Sequence, residues 1–401
     1  MKALIVNKFW YPRGGDCVVA MSTADLLRRM GHEVAIFSMR HPDNVACTGD
    51  DRFVPQVHFD GSFTQKLRAV RRSMGDSDVK RAFSQLLRDF QPQVVHLHNI
   101  HSYLSPVVAK LAHEHGCRVV WTLHDYKLLC PAYSCLRQGQ PCDQCNEHPM
   151  DVVVNRCMKG SLLASIAGLI EATKWNSTLL SQYVDVFICP SRFMALKMKQ
   201  AGFPAEKLAV ITNFIPDERC DTAPVSLGRA QYACYVGRLS AEKGVDTLLQ
   251  TAASLPFTLK VAGDGPLLAP LREQYASSKN IEFLGRQDAH AVTALLRQAQ
   301  FSVTPSQWWE NNPLSIIESL SAGTPVVGTD MGGIPELIDN SNGIIVPAGH
   351  VQALASAMQH AADTAWDRAA IAREAHHRFH PQTHYRALLN LYQGPGHVTL
   401  E

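Results

Sequence analysis

The sequence has no stretch able to cross a bilayer. Nowhere in its 401 residues does an apolar run approach the ~20 residues a membrane-spanning helix needs. The longest, Leu162 to Ile170, is about half that length and contains Ser165 and Gly168. A signal peptide is not expected either, because the apolar start Met1 to Val6 is short and Lys8 follows closely. Charge of one sign is not in excess: 38 Lys and Arg face 36 Asp and Glu, a net charge of +2. Nothing therefore draws the whole chain to a polyanion, and nucleic acid is not an expected partner. The G-x-G-x-x-G fingerprint of dinucleotide enzymes is missing. Eleven cysteines, an odd number in a long chain, do not read as a disulfide framework. These absences leave a globular protein expected in the cytoplasm, with attachment to the inner face of the membrane as the alternative.

What is present is a repeated α/β pattern. The length gives two domains as the natural division, and 46% hydrophobic with 18% charged residues is an ordinary globular balance. Short buried-strand runs (Lys2–Val6, Glu33–Phe37, Gln93–His98, Arg118–His124, Asp185–Cys189, Leu208–Ile211) alternate with helical patterns. Gly14-Gly15 lies in the first βα turn, where it could relieve crowding or admit a ligand to the backbone. After the polar segment Asn213 to Gly228, read as a linker, a second series begins at Tyr232–Arg238. It continues through Leu259–Ala262, Ile281–Leu284, Phe301–Thr304, Val326–Gly328 and Ile344–Val346. The expected architecture is α/β: two doubly wound, Rossmann-like domains facing each other across a cleft. Residues 1–216 form the first, with a Cys-rich insertion at about 130–157, and residues 217–380 the second. A last helix within 381–401 is expected to cross back to the first domain.

The richest stretch is Trp308-Trp309-Glu310-Asn311-Asn312-Pro313-Leu314-Ser315-Ile316-Ile317-Glu318. Asn312 suits a helix N-cap and Pro313 the first helical position. Leu314, Ile317 and Leu320 give an apolar face, and Gly323 a stop. Glu310 then sits in the loop before the helix and Glu318 in its second turn, where two carboxylates could grip different ends of one ligand. The helix start favours an anion such as a phosphate. Taken alone, the pair also fits an ordinary helix surface. Arg238 and Lys243, five residues apart and followed by Gly244, suit a leaving diphosphate that is neutralised without a metal. Gly263-Asp264-Gly265 and Gly332-Gly333 add close-approach loops at the same sheet edge, and His124 ends a strand of the first domain.

The run from Tyr235 to Gly244, Gly263-Asp264-Gly265-Pro266, the Glu310-x7-Glu318 pair and Gly323-Thr324-Pro325-Val326-Val327 resembles glycosyltransferase family four. Gly14-Gly15, His124-Asp125 and Pro190-Ser191 fall in the family's order, so the likeness covers nearly the whole chain. The resemblance implies the GT-B fold and a retaining transfer of a sugar from a nucleotide-diphosphate sugar to a glycan or lipid-linked glycan. Polysaccharide or cell-envelope glycan synthesis is the implied setting. It implies that Arg238 and Lys243 bind the donor diphosphate, that Glu318 holds the ribose, and that Glu310 lies near the donor sugar, with His124 as a sugar-hydroxyl partner. Gly14, Gly15, Asn311, Asn312, Pro313, Leu314 and Ser315 complete the implied donor contacts, and no metal is required for catalysis. Two positions depart from the common pattern: Asn312-Pro313 stands where many members have Phe-Gly, and Asp16 where Glu is commoner. A non-catalytic nucleotide-sugar-binding subunit and a GT-B epimerase are the rival functions.

Two further features stand apart. Cys130, Cys142, Cys145 and Cys157, with Cys135 among them, include one C-x2-C pair. The four could close a tetrahedral structural zinc site or remain free thiols. From Lys66 to Arg88 runs a basic, amphipathic segment that reads either as a solvated helix face or as a contact for anionic lipid. Asp76-Ser77-Asp78 has the look of a metal–diphosphate carboxylate pair, but its charged surroundings argue against that role.

Overall fold

The computed structural model describes residues 1–216 and 231–394. The chain forms two compact units. One comprises residues 1–135, 142–212 and those from 385 onward; the other comprises residues 136–141 and 213–384. The linker expected at Asn213 to Gly228 lies, from residue 217 on, outside the described residues.

Among the described residues, the first unit is built on a six-stranded parallel sheet. Its strands are β1 (Lys2–Val6), β2 (Glu33–Phe37), β3 (Val94–Leu97), β4 (Arg118–Thr122), β7 (Val186–Cys189) and β8 (Leu208–Val210), in the order β2-β1-β3-β4-β7-β8. A two-stranded hairpin, β5 (Leu136–Arg137) and β6 (Gln140–Pro141), falls between β4 and β7 in the sequence. Ala3, Leu4, Ile5 and Val6 are all fully buried. That is why the strand reads as an unbroken apolar run: a parallel sheet is covered on both faces. The last helix, Pro381–Gln393, sends Leu388, Leu391 and Tyr392 into this core. There Tyr392 Oη lies 2.7 Å from His96 Nδ1, and Arg118 donates to the Gly394 carbonyl at 2.6 Å.

The basic segment is two helices, Phe63–Ser73 and Ser77–Phe90. Gly75, in the left-handed region at φ +83°, separates them, and Asp76 caps the second by accepting from the Val79 N–H. Arg72 is fully buried and pairs with Asp76 at 2.7 Å, while Asp78 faces Arg68 and Arg81. Both carboxylates of the Asp-Ser-Asp run are therefore spent within the fold.

The second unit repeats the plan with β9 (Tyr232–Val236), β10 (Thr258–Ala262), β11 (Ile281–Gly285), β12 (Ser302–Thr304), β13 (Val326–Thr329) and β14 (Gly343–Val346). All are parallel, in the order β11-β10-β9-β12-β13-β14. The direction of strand progression reverses between β9 and β12, and the crevice beyond the carboxyl ends at such a point is where open α/β sheets take ligands. Arg368 holds the side of this sheet away from that edge. It is buried and donates to the carbonyls of Gly323, Ala299 and Arg297 at 2.7–2.9 Å, satisfying backbone acceptors that two helices leave behind. Replacing Arg368 by Met should orphan all three. Denaturant titration of the second unit's transition should show a loss of roughly 3 kcal/mol or more; an unchanged midpoint would mean that solvent reaches those carbonyls.

Candidate active site

The carboxyl edge of the second sheet is a stack of loops, each following a strand. The loop after β9 carries Arg238 and Lys243 and ends at Gly244, which adopts φ +67°. A Cβ at Gly244 would stand 1.9 Å from the Pro305 carbonyl oxygen, so only glycine lets this loop close on the end of β12. The loop after β12 carries Ser306, Trp308 and Glu310. Glu310 forms a parallel bridge with Gly332, and its carbonyl accepts from the Gly333 N–H at 2.7 Å. Gly332 is again left-handed, and a Cβ there would meet the Glu310 backbone at 2.1 Å. Two glycines thus allow three loops to bring distant side chains to one spot.

At that spot Lys243 Nζ donates to Glu310 Oε1 at 2.6 Å, and Ser306 Oγ donates to the same oxygen at 2.6 Å. The ammonium also stands 5.1 Å from the centre of the Trp308 ring. Glu310 is 6% exposed. Burial alone would raise its pKa, but the Lys243 charge and the hydrogen bonds from Lys243 and Ser306 hold it below the ordinary carboxylate value. Arg238 is turned outward, half exposed, onto Glu242, whose carboxylate also accepts from Ser240 Oγ at 2.7 Å. The structure therefore brings Lys243 and Glu310 together and leaves Arg238 beside them on a separate carboxylate.

The helix after Glu310 runs Leu314–Ser321, with Glu318 in its second turn. The expected cap is not made. Pro313 occupies the N-cap position with no side-chain hydrogen bond, so Pro313 is not the first helical residue. Asn312 is buried and points the other way: its Oδ1 accepts from the Asn213 N–H at 2.9 Å, and its carbonyl accepts from Asn213 Nδ2 at 2.8 Å. A tertiary partner 99 residues away outcompetes the local cap. Asn311, Leu314 and Ser315 are half-buried around the helix start.

In the first unit, Gly14 is the exposed N-cap of the helix Gly15–Arg29, whose first turn carries Asp16. His124 lies just past β4, its Nε2 2.9 Å from His98 Nδ1. Burial lowers the His124 pKa more than Asp16 and Asp125 raise it, so the ring is neutral at pH 7 and can both donate and accept. Asn99 joins this group by donating to Asp16 at 2.9 Å and Asp125 at 3.2 Å. His98, like His124, ends a strand in the sequence pattern, whereas Ser306 and Asn99 carry no sequence signal beyond lying just past strand ends. Of the cysteines, Cys130 lies near enough to interact with Cys145 and with Cys135, which the four-cysteine set leaves out. Among the described residues no group of three His, Cys, Asp or Glu is already arranged around a metal position.

The ion pair fixes a pH dependence. A carboxylate held below its unfolded value of about 4.3 adds stability that is fully present above that value and is lost as pH falls through the folded one. Thermal unfolding of Glu310→Gln should therefore fall short of the native chain most at neutral pH. The gap should close below about pH 4; a constant gap across the range would assign the pair no linkage.

Comparison with known proteins agrees with this architecture. The model described as Glycosyltransferase Family 4 matches residues 13–219, more than half of the chain, and that described as Glycosyl transferases group 1 matches residues 230–364. An uncharacterized 42.6 kDa protein in the cps region of Klebsiella pneumoniae is 25% identical over 354 residues, covering 84% of this chain and 87% of that protein. The O-antigen chain mannosyltransferase B of Escherichia coli is 26% identical over 272 residues, 64% of each chain. Among solved structures, Anabaena HepE in complex with UDP-glucose superposes with a TM-score of 0.68 at 18% identity, covering 98% of this chain and 99% of that one. The apo lipopolysaccharide outer core galactosyltransferase WaaB gives 0.67 at 16%, covering 98% and 99%. The two Rossmann-like units are those of the GT-B fold, and the chain belongs to glycosyltransferase family 4.

Proposed function

We propose that the protein is a retaining hexosyltransferase. It moves a sugar from a nucleoside-diphosphate sugar to a glycan or lipid-linked glycan in the synthesis of a cell-envelope polysaccharide. The observation that carries this reading is the Lys243–Glu310 pair beside Arg238, placed at the switch point of the second sheet. HepE, solved with UDP and UDP-glucose, supports a nucleotide-sugar donor, and the O-antigen mannosyltransferase supports the envelope setting.

Breaking the sugar–phosphate bond leaves negative charge on the diphosphate and positive charge on the ring. Arg238, Lys243 and the start of the helix Leu314–Ser321 answer the first. These cations are side chains, so this reading needs no metal at the reacting centre. Glu310, fully charged at neutral pH, answers the second. His124, in the first unit, is assigned a hydrogen bond to a sugar hydroxyl, and Glu318 one to the ribose. The acceptor oxygen forms its bond to the anomeric carbon on the face the phosphate leaves, and the departing phosphate takes the acceptor's proton.

The first unit also presents apolar side chains to solvent: Phe63 at 77% exposure, Leu163 at 76% and Ile170 at 53%, with Lys66, Arg68 and Arg71 on the Phe63 helix. A 2.6 Å ion pair joins Asp60, just before the Phe63 helix, to Lys159, just before the helix Leu162–Lys174 that carries Leu163 and Ile170. We assign this surface to peripheral contact with an anionic bilayer. Of the segment 66–88 only the first helix takes part, since the second buries Val79, Phe83, Leu86 and Leu87 in the core. In vesicle sedimentation, Phe63→Asp with Leu163→Asp should reduce binding to anionic lipid; equal binding would remove this surface from the assignment.

For the transfer itself, Arg238→Ala and Lys243→Ala should each weaken nucleoside-diphosphate binding by about 1.5–3 kcal/mol. Glu318→Ala should mainly raise the donor KM, and Glu310→Ala should mainly lower kcat. NMR of the first-formed product, from a donor of known anomer, decides the stereochemistry. A retained linkage is expected; an inverted one would overturn the mechanism.

A further inference from the structure

Between Tyr133 and Gly160 the chain keeps a defined conformation with almost no core. Of these 28 residues only Cys135 and Val152 are buried. The regular structure is a hairpin of two residues per strand, one turn at Gln144–Asn146 and a four-residue helix at Asp151–Val154. Five of its non-glycine residues, Tyr133, Cys135, Gln138, Arg156 and Lys159, hold positive φ between 48° and 62°. Side-chain-bearing residues disfavour that region. A segment so poor in apolar burial cannot offset the conformational entropy of ordering itself, and natural chains meet that deficit with a staple.

The staple candidates converge here. The Tyr133 N–H donates to the Cys130 carbonyl at 2.7 Å, closing the turn that leads from Cys130 into Cys135, and the Cys130 sulfur lies near enough to those of Cys135 and Cys145 to interact with both. The Cys142 N–H donates to the Cys135 carbonyl at 2.7 Å, which returns the chain beside Cys135 as it leaves the hairpin. Cys157 and Cys142 both lie near enough to act electrostatically on Cys145. A tetrahedral thiolate site with Zn–S near 2.3 Å spaces its sulfurs by ~3.8 Å. Among the described residues no three-ligand group is already closed to that spacing, so the cation itself would draw the sulfurs together.

We propose that this cluster is a structural zinc(II) site, with Cys130, Cys135 and Cys145 as ligands and either Cys142 or Cys157 as the fourth. Binding releases the thiol protons to solvent and leaves four thiolates on the cation, with no change of oxidation state. The set differs from that drawn from spacing alone by including Cys135, which follows a turn closed by the Tyr133 N–H on the Cys130 carbonyl at 2.7 Å. The site is closed and made of cysteine alone, so its role is to order residues 130–160 rather than to touch substrate.

Metal analysis of the full chain, expressed with zinc and purified without chelator, should find about one zinc per chain. Cys130→Ser, Cys135→Ser and Cys145→Ser should each lose it, Cys117→Ser and Cys189→Ser should keep it, and one of Cys142→Ser and Cys157→Ser should lose it. Should the serine variants fold poorly, the native chain provides the second test. Refilled with cobalt(II), it should show the visible bands of tetrahedral thiolate coordination. Chelation should speed amide exchange in residues 130–160 while leaving β1 to β4 protected. Zinc-free native protein, zinc retained by Cys145→Ser, or an unreduced mass lower by the hydrogens of a disulfide would each overturn the proposal.

Discussion

Much of the second unit's edge is arranged around one buried ion pair. Removing Glu310 and Lys243 from water is costly, and their mutual attraction offsets that cost only with good geometry and further hydrogen bonds. Ser306 supplies such a bond, and the Trp308 ring lies against the ammonium. The placement of Gly244 and Gly332 follows from the same need. Each allows a backbone approach that any side chain would block, one bringing the lysine loop to β12 and the other bringing the loop after β13 to Glu310. The pair also gives the site its chemistry. In the proposed reaction, Lys243 would pass from the carboxylate to the donor's phosphates, and Glu310 would stay charged where positive charge develops.

The strands of both units were legible because parallel sheets are covered on both faces and so leave uninterrupted runs such as Ala3 to Val6 and Val326-Val327. The repeated alternation with helices then implied two doubly wound sheets. Motif spacing carried the site as far as single loops: Arg238 to Lys243, and Glu310 to Glu318. It could not show that Lys243 and Glu310 meet, because 67 residues and three strands separate them and no local pattern records the encounter. Asn312 shows the same limit. Its residue type suits a cap, but the buried backbone of Asn213 needs its oxygen more.

The division of the basic segment was hidden for a different reason. Composition alone ran it together, while a left-handed glycine and a capping aspartate divide it, and a buried Arg72–Asp76 pair takes one of its charges inside. Similarly, Cys135 looked incidental in a list of spacings, and only the fold shows that the hairpin returns Cys142 to it. In both places the decisive contacts depend on turn geometry.

The central claim is that Lys243 is shared between Glu310 and the donor diphosphate. Calorimetric titration of Glu310→Gln with a nucleoside diphosphate tests it most directly. With the competing carboxylate neutral, the lysine is released to the phosphate, so the variant should bind at least as tightly as the native chain while losing turnover. If Glu310→Gln instead weakened binding as much as Lys243→Ala does, Glu310 would be a part of the diphosphate site and the proposed sharing would be wrong.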